Sequence, residues 1–368
     1  MLTSFTTKGF KNFKDEICFK LNDVKSYEFS PDAVKDGIVK TALIYGINGS
    51  GKTNLAYAIF DIITHLTDKQ RNTENYTNYL NLDEGLSASF TYTFRFNKTD
   101  VIYTYTKKDV ENILTERLDI DGETVISYDY KNHAAVVKLA GAETLNTDLA
   151  ESNLSFVKYI ARNTVLEKNR TNQIFQSFMF FVDNMLLFSS LEKNHYQGFK
   201  TGVDKISEGI IGSGKLKDFE GFLQANGIPF NLIEKSVNGQ KRMYCKFKKK
   251  TVDFYSIASK GTSSLALFYY WLLQLDRVPF VLIDEFDAFY HSDVARIVVE
   301  SILSLPHTQG IFTTHNTDIM TNDLLRPDCY FQVSDNKISS FSESTDKEIR
   351  KAHNLQKMYK AGAFYVNE

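Results

Sequence analysis

Cysteine and excess charge are both scarce in this sequence, and each scarcity limits what the protein can be. Cysteine occurs only at Cys18, Cys245 and Cys329, far apart and without the paired spacing of a disulfide framework or a zinc site. Neither sign of charge dominates, since 43 basic and 45 acidic side chains give a net charge of −2. The composition therefore does not indicate nucleic acid as an obligatory partner, although a local basic patch could still bind it.

Long apolar runs are also missing. The most apolar stretch, residues 264–275, has about 12 residues, which is too few to cross a bilayer. The opening residues Met1–Phe5 lead into lysines and not into the apolar stretch of a signal peptide. We therefore expect a cytoplasmic protein without a membrane segment.

Apolar and aromatic side chains, by contrast, are plentiful enough for one large α/β domain with an insertion, or for two domains. Of the 368 residues 43% are hydrophobic, including 29 Phe and 20 Tyr. Residues 40–45 form a compact apolar strand, and a helical pattern follows residue 53. Alternation over residues 87–126 predicts antiparallel strands, whereas residues 150–225 have the pattern of helices. Strand character returns at residues 241–254.

A glycine-rich loop follows the strand at residues 40–45. Residues 46–53 match the phosphate-binding pattern G-x-x-x-x-G-K-[ST] at every fixed position. Such a loop points backbone N–H groups at the phosphates of ATP, and the next helix presents its positive end to them. The match could be accidental, but the strand before it and the helix after it favour nucleotide binding. The predicted ATP-binding residues are Gly46, Asn48, Gly49, Ser50, Gly51, Lys52, Thr53 and Asn54. Lys52 would neutralise the β- and γ-phosphates, and Thr53 would supply a hydroxyl to Mg²⁺.

Two adjacent acids end a second apolar strand, Phe280–Ile283. Asp284 is predicted to hold Mg²⁺ and Glu285 to orient and polarise the attacking water, as phosphoryl transfer requires. Acid pairs after a strand also occur as helix caps, so the pair alone leaves both interpretations open. The phosphate loop favours the catalytic one.

Two further segments complete the set of candidates. The strand Ile311–Thr314 delivers His315, which is predicted to sense the γ-phosphate, although a lone histidine is usually structural. The segment Ser256–Ser263 precedes an apolar helix. Its serines and glycine could cap that helix, or could present a hydroxyl and N–H groups to a phosphate bound by a second subunit.

Taken in this order, the four pieces resemble the ABC-type ATPase heads of the SMC, RecF and OLD group. Within that group the chain looks most like the AAA_15/AAA_21 ATPases of bacterial abortive-infection and antiphage systems. The opening Lys8–Lys14, the acid motif Asp284–His291 and the closing segment Asn354–Phe364 are similar to the corresponding family segments. The resemblance implies an α/β P-loop NTPase of the ABC-ATPase head type, with a mixed central sheet, an antiparallel β subdomain and a helical insertion.

The resemblance also implies a division of the chain and a shared site. Residues 1–140 would form the first part of the ATPase head, residues 141–240 a mainly helical insertion, and residues 241–368 the rest of the head. Such heads bind two ATP between two subunits. Three residues would fall in the signature motif that completes a partner's site, and one in the loop that joins the two sites. They are Ser259, Gly261 and Thr262 for the signature, and Asp287 for the joining loop. No glutamine stands at the usual place after the phosphate loop, because Gln70 comes too soon.

Three functions remain open at this point. The first is an ATP-hydrolysing sensor or regulatory subunit of an antiphage system, acting through nucleotide-dependent subunit association and a separate effector, such as a TOPRIM or RloB-like nuclease. The second is a DNA-repair ATPase that clamps DNA as RecF-like and SMC-like heads do. The third is a nucleotide-gated scaffold with little turnover. The basic run at residues 246–250 is either a solvated strand edge or a binding patch.

Overall fold

The computed structural model describes residues 1–69, 73–83, 85–149, 153–190, 196–199, 206–334 and 336–364. The strands of this described part are β1 (Leu2–Lys8), β2 (Ile17–Lys20), β3 (Val34–Lys35), β4 (Ile38–Val39), β5 (Thr41–Tyr45), β6 (Ala88–Phe96), β7 (Thr99–Lys107), β8 (Ile113–Ile120), β9 (Glu123–Asp129), β10 (Ala134–Val137), β11 (Leu186–Ser189), β12 (Tyr196–Gly198), β13 (Leu232–Val237), β14 (Gln240–Lys246), β15 (Thr251–Asp253), β16 (Phe280–Asp284), β17 (Gln309–Thr314), β18 (Tyr330–Ser334) and β19 (Lys337–Ser340).

The α-helices of the same residues are α1 (Lys52–Phe60), α2 (Ile63–Leu66), α3 (Phe156–Asn163), α4 (Arg170–Asp183), α5 (Ile206–Gly212), α6 (Leu216–Ala225), α7 (Phe254–Ile257), α8 (Lys260–Leu272), α9 (Ser292–Leu303) and α10 (Leu355–Lys360). Short 3-10 helices span Pro31–Ala33, Thr73–Tyr76, Leu275–Arg277, Thr317–Ile319 and Pro327–Cys329. Within the described residues no helix is long and apolar enough to span a membrane.

A mixed central sheet carries the predicted site. Its strand order is β12-β11-β16-β17-β5-β18-β19. The strands from β11 to β18 run parallel, and the edge strands β12 and β19 are antiparallel to their neighbours. Every side chain of β5, β16 and β17 is buried, as expected for parallel strands covered on both faces. Because parallel strands end at the same edge, the phosphate loop, the acid pair and the histidine segment meet there.

A second, antiparallel sheet has the order β10-β9-β8-β7-β6-β1-β2. Side chains of β6 and β7 alternate between buried and half-buried positions, so one face of this sheet packs inward. On that face the Tyr92 hydroxyl donates to the Ala58 carbonyl of α1 at 2.8 Å. The Lys107 ammonium contacts the Asp61 carboxylate at 2.9 Å, and both side chains are fully buried. These bonds anchor the carboxyl end of α1, the helix that follows the phosphate loop.

Residues 141–240 are more than a helical insertion. Helix α4 packs between the two sheets, since Phe181 contacts Phe94 of β6 and Phe280 of β16. The same segment supplies β11 and β12 to the central sheet and β13 to a small sheet with β14 and β15. The helices α3 to α6 lie in this segment, as the prediction of a mainly helical insertion has it, and its strands β11 and β12 also complete the central sheet. The boundaries at residues 140 and 240 stay predictions.

Candidate functional site

The phosphate loop joins the end of β5 to the start of α1. Gly51 has φ of +101°, in the left-handed region that favours glycine. A Cβ atom at this position would lie 2.6 Å from the Asn12 side-chain nitrogen. The loop is thus held against the turn between β1 and β2, and only glycine fits at its last position.

Lys52 is the first residue of α1, and its side chain is buried. Its ammonium donates to the Gly46 carbonyl at 2.9 Å and to the Ile47 carbonyl at 3.3 Å. It also lies 3.6 Å from a carboxylate oxygen of Glu285. The ammonium is therefore held inside the loop, facing the acid pair.

Asp284 ends β16 and is held by two hydroxyl groups. Thr53 donates to one of its carboxylate oxygens at 2.8 Å, and Thr313 donates to the other at 2.6 Å. Burial raises the pKa of Asp284 above its ordinary value, and the two hydroxyl donors partly oppose that rise. A buried carboxylate beside a hydroxyl is a hard-oxygen donor pair of the kind Mg²⁺ prefers. Among the described residues no group of three or more His, Cys, Asp or Glu side chains could hold a metal ion by itself.

Glu285 and His315 lie beside this pair. Glu285 has φ of +46°, unusual for a residue with a side chain, and its backbone N–H donates to the Thr313 hydroxyl at 2.8 Å. Its carboxylate lies 3.2 Å from the His315 Nδ1 atom. The side chains of Glu285 and His315 are therefore in contact, at the ends of the neighbouring strands β16 and β17.

An open cavity of about 520 Å³ lies among these groups. It is lined by Asn48, Gly49, Gly51, Lys52, Thr53, Asn54, Glu285, Ala288 and His315. Gly46 and Ser50 belong to the same loop but do not line the cavity. The volume is in the usual range of small-molecule sites. The sequence-predicted loop, acid and histidine are thus brought together at one cavity.

Asp287 and the three predicted signature residues lie outside this cavity. The Thr314 hydroxyl donates to both carboxylate oxygens of Asp287, at 2.7 and 2.8 Å, and burial raises the pKa of this carboxyl. Ser259 caps helix α8, since its hydroxyl accepts from the Thr262 N–H at 3.1 Å. Gly261 approaches the acid segment, because a Cβ atom there would lie 2.6 Å from the Phe289 carbonyl oxygen. None of these four residues lines the cavity of its own chain.

Sequence reasoning missed three residues that hold the site together. Thr313 and Thr314 orient the acids, and the signal was available, because two hydroxyl residues stand directly before His315. Asn12 accepts a hydrogen bond from the Asn54 side chain at 2.6 Å and donates to the Asn336 side chain at 3.2 Å. No local pattern reveals that role. Gln70, which comes too soon in the sequence to be the usual glutamine after the phosphate loop, lies outside the described residues.

Comparison with known proteins places this geometry in a family. The family model AAA_21, described as "AAA domain, putative AbiEii toxin, Type IV TA system", matches residues 42–321, well over half of the chain. This match and the sheet order confirm the predicted α/β fold with a mixed central sheet and an antiparallel β subdomain. No curated protein matches the chain at a significant level.

Several solved structures are similar to the chain at low sequence identity. The SMC head domain from Thermotoga maritima is 15% identical, with 92% of this chain and 98% of that chain covered and a TM-score of 0.46. A Smc head with an extended coiled coil, bound to the C-terminal domain of ScpA derived from Pyrococcus furiosus, is 13% identical, with coverages of 93% and 97% and a TM-score of 0.45. The recombination mediator protein RecF of the RecFOR pathway is 12% identical, with coverages of 92% and 98% and a TM-score of 0.38.

Proposed function

Because the chain belongs to the family of AAA domains described as putative AbiEii toxins of type IV toxin–antitoxin systems, we propose that it binds ATP with Mg²⁺ and hydrolyses it. One observation carries the proposal. Lys52, Thr53, Glu285 and His315, from three separate segments of the chain, all line one cavity. Each of them has a distinct task in phosphoryl transfer to water.

Binding depends on the loop and on Lys52. Backbone N–H groups of residues 46–53 and the amino end of α1 attract the phosphates. The Lys52 ammonium, which now donates to two carbonyls of its own loop, would exchange them for phosphate oxygens. The phosphate oxygens are negatively charged hydrogen-bond acceptors and the two carbonyl oxygens are neutral, so this exchange favours ATP binding.

Thr53 and Asp284 are the residues that would hold Mg²⁺. Their hydroxyl and carboxylate are already paired at 2.8 Å, and Thr313 fixes the carboxylate from its other side. When bound, Mg²⁺ supplies positive charge to the phosphate oxygens as their negative charge is redistributed.

Glu285 and His315 serve the attack of water. The Glu285 carboxylate accepts a proton from the water whose oxygen bonds to the γ-phosphorus, while the bond to the bridging oxygen breaks. ADP and phosphate are the products. The His315 imidazole, 3.2 Å from Glu285, would donate to a γ-phosphate oxygen and keep the two groups aligned.

A Glu285→Gln variant tests this proposal. We expect the turnover number to fall by about 10²–10⁴-fold, because the amide cannot accept the proton, while the Kd for ATP stays within about twofold. Glu123→Gln, at an exposed position on β9, is the matched control and should hydrolyse ATP like the wild type. Unchanged turnover in the Glu285 variant would remove Glu285 from its role. A wild-type rate no faster than the hydrolysis of ATP without protein would favour the nucleotide-gated scaffold.

We further propose that two subunits share each ATP site. Ser259, Gly261 and Thr262 do not line the cavity of their own chain, which fits a role at a partner's nucleotide, and Asp287 lies in the loop that would join the two sites. The test mixes two inactive variants, Lys52→Ala and Ser259→Arg. A mixed dimer has one intact composite site, so activity should partly return on mixing. Full inactivity of the mixture, with mixed dimers demonstrated by mass, would contradict the shared site.

The cellular role proposed is that of a cytoplasmic sensor or regulatory subunit of a bacterial antiphage system. ATP-driven subunit association would control a separate effector, such as a TOPRIM or RloB-like nuclease. The family description, which names a toxin–antitoxin system, supports this role. Cells carrying the protein and its neighbouring genes should resist phage, and Glu285→Gln should abolish that resistance. Equal resistance in both strains would refute the antiphage role and would leave the proposed ATPase chemistry unaffected.

One surface favours a second candidate, a nucleic-acid clamp of the RecF or SMC kind. On the outward face of the β13–β15 sheet, Lys235 lies opposite Arg242, and Lys246 shares that face; all three are exposed. Lys248, Lys249 and Lys250 follow directly and are exposed as well. These six positive charges form a local basic patch on a chain whose net charge is −2.

Salt dependence distinguishes this candidate. A clamp should bind duplex DNA in an ATP-dependent manner, with an affinity that falls steeply between about 50 and 200 mM salt. Arg242→Ala with Lys246→Ala should weaken binding, and the exposed Lys138→Ala control should not. Absence of binding at low salt with ATP present would exclude the clamp.

A further inference from the structure

A groove lies at the edge of the central sheet opposite the phosphate loop. It consists of two adjoining cavities of about 720 and about 550 Å³, which share Met1 and His307 as walls. We call it the amino-end groove. Its cationic end contains Lys35, Lys40, Arg95 and Lys98, and its apolar end contains Phe96, Phe180, Phe181 and Pro279.

The groove is separate from the ATP cavity but shares its strands. Lys40 directly precedes β5, Pro279 directly precedes β16, and Gln309 begins β17. These three strands end at the phosphate loop, the acid pair and His315. A strand of five residues spans roughly 17 Å, so the groove and the ATP cavity lie at opposite ends of the same three strands.

Positive charge at the cationic end is only partly compensated. Four cations and two carboxylates line it, which leaves an excess of two positive charges. Lys35 donates to the Pro306 carbonyl at 2.8 Å, and Lys40 to the Leu303 carbonyl at 2.7 Å, so both are held by neutral groups. Lys98 makes no ion pair within the described part of the chain. These ammonium groups keep their charge available for an incoming anion.

The apolar end has a different chemistry. One stripe of α4 forms its wall, with Gln173, Gln176, Ser177 and Phe180 at helical spacing. Phe180 is 61% exposed, a large apolar surface left to solvent. The side-chain amides of Gln173 and Gln176 make no hydrogen bond to other described residues. Such amides can donate to and accept from a peptide backbone.

We propose that the amino-end groove binds an extended acidic segment of a partner protein that carries a large apolar side chain. The apolar side chain would cover Phe180, the segment's peptide groups would meet the two glutamine amides, and its carboxylates would lie beside Lys35 and Lys98. The two cavities together exceed the roughly 300–1,000 Å³ of a small-molecule site. A nucleic acid fits less well, because no Lys or Arg lines the apolar end.

Three capped hexapeptides test the proposal by calorimetric titration of the whole chain without nucleotide. One has four glutamates around a central Leu-Phe pair, one has four lysines around the same pair, and one has four glutamates around a Ser-Ser pair. We expect the first to bind at least about tenfold more tightly than the other two, with an affinity that weakens as salt rises. Equal binding of all three, or no binding of the first at millimolar concentration, overturns the proposal.

Two variants test whether the peptide binds in the amino-end groove. Lys98→Glu and Phe180→Ser alter exposed side chains, so both proteins should fold, and each should weaken the Leu-Phe glutamate peptide by about fivefold or more. The matched controls Lys138→Glu and Val165→Ser change exposed residues outside the groove and should leave binding unchanged. Equal losses in variants and controls would place the peptide elsewhere and refute the assignment. ATP hydrolysis, measured on the same proteins, reports on the ATP site independently.

Discussion

Thr313 offers the sharpest test of how the fold positions the two acids. Its buried hydroxyl donates to Asp284 at 2.6 Å and accepts from the Glu285 N–H at 2.8 Å. A Thr313→Val change keeps the shape and removes both bonds. A hydrogen bond to a charged group contributes about 1.5–3 kcal/mol, and a stranded buried N–H costs about 1–3 kcal/mol. We expect the free energy of unfolding to fall by about 3 kcal/mol.

The functional effect should exceed that of a stability loss alone. Glu285 sits at a positive φ, and the Thr313 hydroxyl is the acceptor that holds its N–H. Without that bond we expect turnover per folded molecule to fall at least about tenfold, because the carboxylate that we propose orients the attacking water would lose its position. Urea unfolding gives the stability, and phosphate release gives the turnover.

The matched control is Thr308→Val at the other end of the same strand region. Thr308 is also buried, and its hydroxyl donates to the Leu275 carbonyl at 2.8 Å. One neutral bond is lost there, so we expect about 1 kcal/mol of destabilisation and wild-type turnover. If Thr313→Val loses no more stability than Thr308→Val and hydrolyses ATP normally, the hydroxyl does not position the acids.

Three further changes have defined outcomes. Thr41 is fully buried and its hydroxyl has no hydrogen-bond partner among the described residues, so Thr41→Val should raise the free energy of unfolding by about 1 kcal/mol in a urea titration; a loss would contradict the burial penalty. Gly51→Ala should weaken ATP binding at least about tenfold in a binding titration, since its Cβ would meet the Asn12 side chain 2.6 Å away, and normal affinity would show that the loop adapts. Burial raises the pKa of Asp284 in the folded state above 3.8. The folded state therefore keeps this proton to higher pH than the unfolded state, and the free energy of unfolding of the wild type declines as pH rises from the unfolded-state pKa through the folded-state pKa. Without Mg²⁺ and nucleotide, Asp284→Asn should therefore be more stable than wild type at pH 7 and lose that advantage at pH values below 3.8; a pH-independent difference would be the contrary result.

The sequence predicted some structural elements better than others. The strand, loop and helix around residues 46–53 were predictable, because a fixed spacing of glycines and one lysine forms its structure locally. The alternation that predicted antiparallel strands is matched by β6 to β9. The segment 141–240 was harder, because the four-residue strand β11 joins the central sheet through pairing with β16, nearly a hundred residues later. Short apolar runs of that kind do not distinguish a strand from part of a buried helix.

The sequence by itself determined the chemical groups of the site: an ammonium on a glycine loop, two acids after a strand and a histidine after another. Only the tertiary structure decided that these groups share one cavity, that Thr313 holds both acids, and that Asn12 braces the loop. It also placed the amino-end groove at the opposite ends of the same strands. The physical reason is the separation along the sequence of the residues that interact. Backbone conformation follows from neighbouring residues, whereas these contacts join segments brought together by the strand order of the central sheet.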